Sequence, residues 1–187
     1  RANSPFASQA DAIELILRSL RASDRNDIGV IFKIHPLDNG WEKWSRVVGD
    51  KARKLGLLDR FTTIDGSHLP TLLQHAEGVI LINSTVGIQA LLHGRPTKVL
   101  GVATFDIPRL THQGSLESFW RNPTPPEREV RDAFIKLLAA SVQVKGSFYN
   151  SEGMRRGAAA IAERVISGTV NEPGAFVSPL PRLARAH

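Results

Sequence analysis

The sequence has no cysteine among its 187 residues, and it holds only one methionine and one tyrosine. The absence of cysteine excludes a disulfide framework, a thiolate metal site and a cysteine nucleophile, and it fits a reducing compartment. Long hydrophobic runs are missing too, because apolar stretches such as residues 78–82 fall far short of the ~18 residues that a membrane-spanning helix needs. The sequence therefore predicts no transmembrane segment.

Several motifs that mark common ligand sites are also absent. The chain contains no G-x-G-x-x-G, no P-loop, no G-x-S-x-G and no acidic D-x-D pair. This argues against a dinucleotide site, a Walker-type nucleotide site and an α/β-hydrolase. His68, His75 and His93 lack the spacing of zinc ligands, so we predict no metal site.

The chain is basic, with a formal net charge of +6 and a pI of about 10.2. A nucleic-acid binder is one interpretation of this charge, and a steeply salt-dependent affinity for DNA or RNA would support it. However, the basic residues are dispersed, and Trp41, Trp44 and Trp120 are too scattered for a base-stacking platform. We therefore predict no nucleic-acid partner and expect the tryptophans to pack in the core or at an interface.

The local patterns predict an α/β fold. Ser8 and Asp11 have the spacing of a capping box, and an apolar stripe with helical period follows them through Leu20. Further on, short apolar runs typical of strands alternate with helical segments, which indicates parallel βαβ units. We expect a Rossmann-like parallel sheet flanked by helices. The predicted strands cover residues 29–34, 61–64, 78–82 and 97–100, and the predicted helices between them cover 41–55, 69–75 and 84–92.

The last third of the chain is predicted to contain a connector, two helices and a tail. Residues 122–126 (NPTPP) read as a rigid connector, and amphipathic helices are predicted around residues 130–138 and over 154–166. We expect one domain over residues 1–168, with residues 126–168 as its helical extension and residues 169–187 as a flexible tail. Because the first residue is Arg1 rather than Met, we expect a longer parent chain.

The first candidate site lies at the end of the first predicted strand. Lys33 and His35 share one face of an extended chain, and Pro36 restricts the backbone of His35. A cation and an imidazole side by side suit an anionic group. The alternative is a solvated strand-end lysine beside a histidine that caps a turn.

The second candidate site follows the strand predicted over residues 78–82. Asn83, Ser84 and Thr85 come just before a predicted helix, where hydroxyl and amide donors suit a phosphate. Gly87 would let a ligand or the neighbouring strand approach closely. The alternative is that Ser84 or Thr85 simply caps the helix. Residues 83–85 also spell a glycosylation sequon, which we discount at a strand end of an α/β core.

The third candidate site follows the last predicted strand. His112 and Gln113 lie in a glycine-flanked loop that should reach the same edge of the sheet, where they could contact a sugar or a base. The alternative is a solvated loop histidine.

Seven short segments together resemble the bacterial capsule polysaccharide biosynthesis family, in order and in spacing, over about residues 5–150. They are 33–38 (KIHPLD), 69–73 (LPTLL), 83–87 (NSTVG), 97–101 (TKVLG), 110–114 (LTHQG), 119–120 (FW) and 146–149 (GSFY). The K-x-H-P and N-S-T-x-G segments are also similar to the H-P and S-S/T motifs of bacterial sialyltransferases, which hold CMP in the carboxy-terminal half of a GT-B fold.

The resemblance implies a retaining β-Kdo glycosyltransferase that uses CMP-Kdo, with this chain as its carboxy-terminal, donor-binding domain. His35, with Pro36 setting its backbone, would contact CMP, and Ser84 and Thr85 would bind the phosphate. Lys33 would add positive charge, and His112 with Gln113 would approach the sugar or the cytidine. His35 and His112 are the candidate catalytic residues. The resemblance implies no cofactor and no metal.

The same resemblance implies an acceptor-binding domain upstream of Arg1, so that the fragment alone would be inactive. The acceptor would be a lipid-linked glycan or another glycan, and the 154–166 helix would pack on the missing half. We expect a cytoplasmic protein, peripheral at the inner face of the cytoplasmic membrane beside the capsule assembly machinery. The alternatives are a GT-B-like UDP-sugar transferase or epimerase domain and a non-catalytic module of capsule assembly.

Overall fold

A computed structural model describes residues 4–35, 37–141, 144, 146–147 and 150–167. The chain divides into two compact units, Arg1–Arg131 and Asp132–His187, and each is described by itself. Pro36 and the predicted tail over residues 169–187 lie outside the described residues. The single domain over residues 1–168 and the upstream acceptor domain stay predictions.

The first unit alternates strands and helices along the chain, as the sequence predicts. Its elements are α1 (Gln9–Ala22), β1 (Val30–Lys33), α2 (Trp44–Lys54), β2 (Phe61–Ile64), α3 (Leu69–His75), β3 (Val79–Leu81), α4 (Val86–Leu92), β4 (Thr97–Val99) and α5 (Leu116–Arg121), with a 3₁₀ turn at Leu58–Arg60.

The strands are parallel, and they pair in two sheets of two strands each. In the first sheet β1 pairs with β2, with Val30 opposite Phe61, and in the second β3 pairs with β4, with Val79 opposite Thr97. Each pair is joined by a helix, which is the connection that parallel strands require. The predicted α/β fold with parallel strands and flanking helices is confirmed, with the strands in two short ladders.

Helix α1 begins where the sequence predicts. The Ser8 hydroxyl accepts a hydrogen bond from the Asp11 amide at 3.2 Å, and the Ser8 amide donates to the Asp11 carboxylate at 2.9 Å. This reciprocal pair satisfies amides that the first turn of a helix leaves without partners. One face of α1 is then buried, and Leu17 and Leu20 are fully buried. The core cluster of buried residues comprises Ile16, Leu17, Leu20, Val48, Ala52, Leu57 and Trp120.

Helix α5 has only six residues, and the sequence analysis does not predict it. The Ser115 hydroxyl accepts from the Ser118 amide at 3.2 Å and so caps its first turn. The helix places Phe119 and Trp120 in the interior, and the Trp120 indole N–H donates to the Ser19 hydroxyl at 2.6 Å. So short a helix has too few residues to show a helical period, but its position ties the loop after β4 to α1.

The second unit contains most of α6 (Arg128–Ser141) and all of α7 (Ser151–Ile166). The Asn150 side chain accepts from the Gly153 amide at 2.6 Å and caps α7. Among the described residues of α7 none is buried, and its exposed apolar side chains include Ile161 and Val165. The packing of this helix on a further domain stays a prediction. No helix in the described ranges is both long and apolar enough to cross a membrane.

Two helical glycines differ in the space around them. A Cβ atom on Gly87, in α4, would lie 2.4 Å from ring carbons of the buried Phe105 and 3.0 Å from Leu81. A Cβ atom on Gly49, in α2, would meet only the end of the Phe61 ring, at an ordinary 3.9 Å. Gly87 therefore allows α4 to pack directly against Phe105.

We predict that Gly87→Ala lowers the free energy of unfolding, whereas Gly49→Ala leaves it unchanged or raises it. Overpacking costs about 1–3 kcal/mol, which exceeds the gain of up to about 1 kcal/mol that alanine brings to a helix interior. Chemical denaturation of both variants measures the difference. Equal stability of the two variants would contradict the packing role of Gly87.

Candidate functional site

A cleft opens at the carboxyl ends of β1 and β3, within the first unit. Its volume is about 360 Å³, which lies in the ~300–1,000 Å³ range of small-molecule sites. In parallel sheets ligands bind at this edge because loops and helix starts converge there. Its polar lining residues are Gln9, Lys33, His35, Asp38, Thr63, Asn83 and Ser84, and its apolar or aromatic ones are Ala12, Ile13, Ile16, Phe32, Ile34, Trp44, Val48, Ile80, Leu81, Ile82 and Leu100.

The β1 side of the cleft carries Lys33 and His35. Lys33 is half-buried, and its ammonium donates to the Ile34 carbonyl at 3.3 Å. His35 is exposed, and its Nδ1 accepts a hydrogen bond from the Leu37 amide at 3.0 Å. An imidazole nitrogen that accepts carries no proton, so the proton of the neutral ring is on Nε2. His35 therefore presents an N–H donor on its exposed side, fixed by the turn that follows the strand.

The β3 side of the cleft carries Asn83 and Ser84, both of which are exposed. The Ser84 hydroxyl accepts from the Val86 amide at 3.3 Å, which leaves its own proton available to a ligand. The N-cap residue of α4 is Thr85, whose side chain makes no capping hydrogen bond, and the Ser84 hydroxyl bonds the first helical amide from one residue earlier. Thr85 is also exposed, but it does not line the cleft among the described residues.

Gly87 does not line the cleft in the described part of the chain. It is buried, and Phe105 and Leu81 occupy the space that a side chain would need. The groups that approach Gly87 closely are therefore the Phe105 and Leu81 side chains.

His112 is 6% exposed, and it lies inside the loop that follows β4. Its Nδ1 accepts from the Thr124 amide at 3.3 Å and contacts the Thr124 hydroxyl at 3.0 Å. Its Nε2 lies 2.8 Å from the Ser118 hydroxyl, which in turn donates to the Ser115 carbonyl. In this arrangement Nδ1 accepts and Nε2 donates, so the ring is neutral and its proton is on Nε2. Burial, together with the charge of Lys98, lowers the pKa of His112.

Gln113 also takes part in the internal bonding of this loop. Its side-chain amide donates to the Thr111 hydroxyl at 2.8 Å and to the carboxylate of the buried Asp106 at 3.1 Å. Neither His112 nor Gln113 lines the cleft in the described part of the chain. The structure therefore brings Lys33, His35, Asn83 and Ser84 together, and it places the pair from the third loop elsewhere.

Most of the lining residues are missing from the sequence-based site prediction, among them Trp44 and Asp38. The Trp44 indole N–H donates to the Asp38 carboxylate at 2.9 Å. Trp44 precedes the buried Val48 by four residues on α2, so helical spacing alone would have placed both on one face. Trp120 packs in the core as expected. The expectation of core packing is wrong for Trp41, because that residue is 88% exposed.

The described residues contain no group of three or more His, Asp or Glu side chains that could hold a metal ion. The cleft is lined by the Lys33 ammonium, the His35 Nε2–H and the Ser84 hydroxyl, and Asn83 is also among its lining residues. This donor set suits an anion with several oxygen atoms.

The fold and the cleft define an α/β protein with a ligand-sized site at the carboxyl ends of its parallel strands. A family model described as "Capsule polysaccharide biosynthesis protein" matches residues 1–149. The chain belongs to this capsule polysaccharide biosynthesis family.

Curated relatives agree with this assignment. The chain is 34% identical over 154 residues to the capsule polysaccharide modification protein LipB of Neisseria meningitidis serogroup A, and equally to that of serogroup B. It is 32% identical over 149 residues to the capsule polysaccharide export protein KpsS of Escherichia coli. Each match covers 80% of this chain, 36% of LipB and 38% of KpsS, so the chain spans little more than a third of these relatives. No solved structure gives a significant match.

We predict that His112 makes the stability of the protein fall with acidification. Since the folded-state pKa of His112 lies below the unfolded value of about 6.5, the unfolded chain binds more protons in the interval between them. The stabilisation is fully present above the unfolded value and is lost as the pH falls through the folded one. Chemical denaturation between pH 8 and pH 5 measures this slope.

His112→Gln should reduce the slope, because glutamine does not titrate in this range. The matched control is His75→Gln, at an exposed position near the end of α3, which should leave the slope as in the wild type. An unchanged slope in His112→Gln would contradict the prediction.

Proposed function

We propose that the chain is the donor-binding part of a capsule polysaccharide β-Kdo glycosyltransferase, and that the cleft binds CMP-Kdo. The observation that carries the proposal is the presence of Lys33, His35 and Ser84 around one cleft, although the serine lies 49 or more positions along the chain from the other two. Membership of the capsule family and the resemblance of the K-x-H-P and N-S-T-x-G segments support the choice of ligand.

The polar side of the cleft is suited to a nucleotide phosphate. The Lys33 ammonium supplies charge, and the His35 Nε2–H and the Ser84 hydroxyl supply directed donors from two different loops. Hydrogen bonds to charged groups are worth about 1.5–3 kcal/mol, more than bonds between neutral partners. In this proposal the three side chains hold the phosphate, and the Asn83 amide adds a fourth donor.

The same donors would assist bond cleavage. When the bond between the sugar and the phosphate breaks, the nucleotide monophosphate leaves with additional negative charge, and donors already in position stabilise that charge. Of the two catalytic candidates we favour His35, because its exposed Nε2–H can reach a ligand, whereas both nitrogens of His112 are engaged within the protein. His35 would then stabilise the leaving group as a hydrogen-bond donor.

The rest of the reaction would need groups outside this chain. We propose that an upstream domain binds the acceptor, a lipid-linked glycan or another glycan, and completes a GT-B architecture at the inner face of the cytoplasmic membrane. The donor half alone would then bind nucleotide without transferring sugar. The length of the relatives leaves room for such a domain.

A non-catalytic role in capsule assembly is the second candidate. It is favoured by the name of the Escherichia coli relative, which is called an export protein. The two candidates differ in one measurable property, because a module without donor chemistry has no need for a nucleotide.

We predict that Lys33→Ala and Ser84→Ala each weaken the binding of CMP to the chain by about 10- to 150-fold. Each variant removes one group that would contact the phosphate, and isothermal titration measures the loss. The wild type should prefer CMP to UMP, UDP and UDP-GlcNAc.

Matched controls are available on exposed positions outside the cleft. Lys43→Ala makes the same charge change as Lys33→Ala, and Ser45→Ala removes the same hydroxyl as Ser84→Ala. Both controls should bind CMP like the wild type. The proposal fails if the wild type binds no CMP, or if the cleft variants and the controls behave alike. A preference for UDP ligands would instead favour a UDP-sugar enzyme.

In a full-length enzyme, His35→Ala and Ser84→Ala should each lower the transfer rate by roughly 10²-fold or more while the fold survives. Initial rates with saturating acceptor measure the loss, and circular dichroism monitors the fold. Turnover like that of the wild type in both variants would reject the assignment.

A further inference from the structure

We propose that the indole ring of Trp44 is the stacking surface for the nucleobase of the bound nucleotide, with Asp38 as the residue that positions the ring. This inference rests on the proposed function, because it assigns a subsite within the same cleft. The juxtaposition that carries it is an indole, held by a hydrogen bond to Asp38, that lines the same cleft as several apolar side chains and the donors that follow β3.

Trp44 forms part of the wall although it belongs to a core-facing helix. It is the first residue of α2 and is half-buried, and Val48 and Ala52 on the same face continue into the core. The ring therefore lies one turn beyond the point where the core ends. A tryptophan ring buries about 150–250 Å² when it packs fully, and at Trp44 part of that area faces the cleft.

The ring is held in place by the loop that carries His35. The Trp44 Nε1–H donates to one oxygen of Asp38 at 2.9 Å, and the other oxygen accepts from the Gly40 amide at 2.8 Å. The Asp38 amide in turn donates to the His35 carbonyl at 2.9 Å. Gly40 has a φ of +71°, a conformation that favours glycine and completes this turn. Trp44 and His35 are thus coupled through Asp38.

The chemistry of the neighbouring wall favours a base over a sugar at Trp44. Ile13, Ile16, Phe32 and Val48 line the cleft and offer no polar side-chain atoms. A hydroxylated sugar acid placed there would lose water without gaining partners, which is costly. A planar heteroaromatic ring loses little and gains stacking energy on the indole. The charged and hydroxylated parts of the ligand are better matched by Lys33, His35, Asn83 and Ser84.

The other two tryptophans provide a contrast. Trp120 is 5% exposed and lies in the core cluster, and Trp41 is 88% exposed on the loop that precedes α2. Only three tryptophans are present in the sequence, and Trp44 is the one that lines the cleft. Trp41 is therefore a matched control for the same substitution.

The test compares CMP with ribose 5-phosphate, which has the phosphate and the sugar but no base. Trp44→Leu, which keeps an apolar side chain, should weaken CMP binding by about 5- to 150-fold and leave ribose 5-phosphate binding unchanged. Trp44→Phe should restore only part of the CMP affinity, because it keeps an aromatic face but loses the N–H that Asp38 holds, and Trp41→Leu should bind both ligands like the wild type.

Tryptophan fluorescence gives a readout that a purely structural role would not change. CMP should quench the emission of the wild type and of Trp41→Phe, and the quenching should disappear in Trp44→Phe even though that variant still binds CMP. The fluorescence measurement tests the proposal even if Trp44→Leu fails to fold.

Unchanged CMP affinity in Trp44→Leu would overturn the proposal, and so would an equal loss of affinity for CMP and for ribose 5-phosphate. If the wild type binds ribose 5-phosphate as well as it binds CMP, the base subsite is wrong while the phosphate site stands. If it binds neither, the proposed function itself fails.

Discussion

The arrangement of the first unit depends on the burial of one face of α1 against α2 and α5. Leu17 and Leu20 are fully buried there, and Val48 and Trp120 complete the cluster from the other two helices. A lysine–glutamate pair reinforces the contact, because the Lys51 ammonium lies 2.6 Å from the Glu14 carboxylate and its hydrogen bond, with that of Arg18, lowers the pKa of Glu14 to about 2. The cleft lies at the edge of this core, since Ala12, Ile13 and Ile16 of α1 also line the cleft.

Because the cleft lies at the margin of the core, both apolar and polar side chains line it. The apolar ones come from α1, α2 and the strands and their ends, and the polar ones include Lys33 and His35 at the end of β1 and Asn83 and Ser84 after β3. An amphipathic ligand with a planar ring and a phosphate matches such a site better than a uniformly polar one. The hydrogen bond from the Leu37 amide to His35 fixes which imidazole nitrogen faces outward, so the loop prepares the donor before any ligand arrives.

Two residues with possible ligand chemistry have internal roles instead. His112 joins the loop after β4 to the start of α5 through Ser118, and its backbone amide donates to the carbonyl of Thr97 at 2.9 Å. Gly87 makes room for Phe105. His112 thereby ties its loop to β4, and Gly87 lets α4, which begins two residues after Ser84, pack closely against Phe105 and Leu81.

The sequence by itself determined the local elements and the order in which they occur. The capping box of Ser8 and the alternation of apolar strands with helices depend on residues a few positions apart, and they placed Lys33, His35 and Ser84 at strand ends that the structure brings to one cleft. Only the tertiary structure decided that the strands pair in two ladders, that His112 turns inward, and that Trp44 enters the cleft while Trp41 faces solvent. Burial is set by contacts between distant parts of the chain, such as Trp120 with Ser19, and no local pattern records which of these contacts forms.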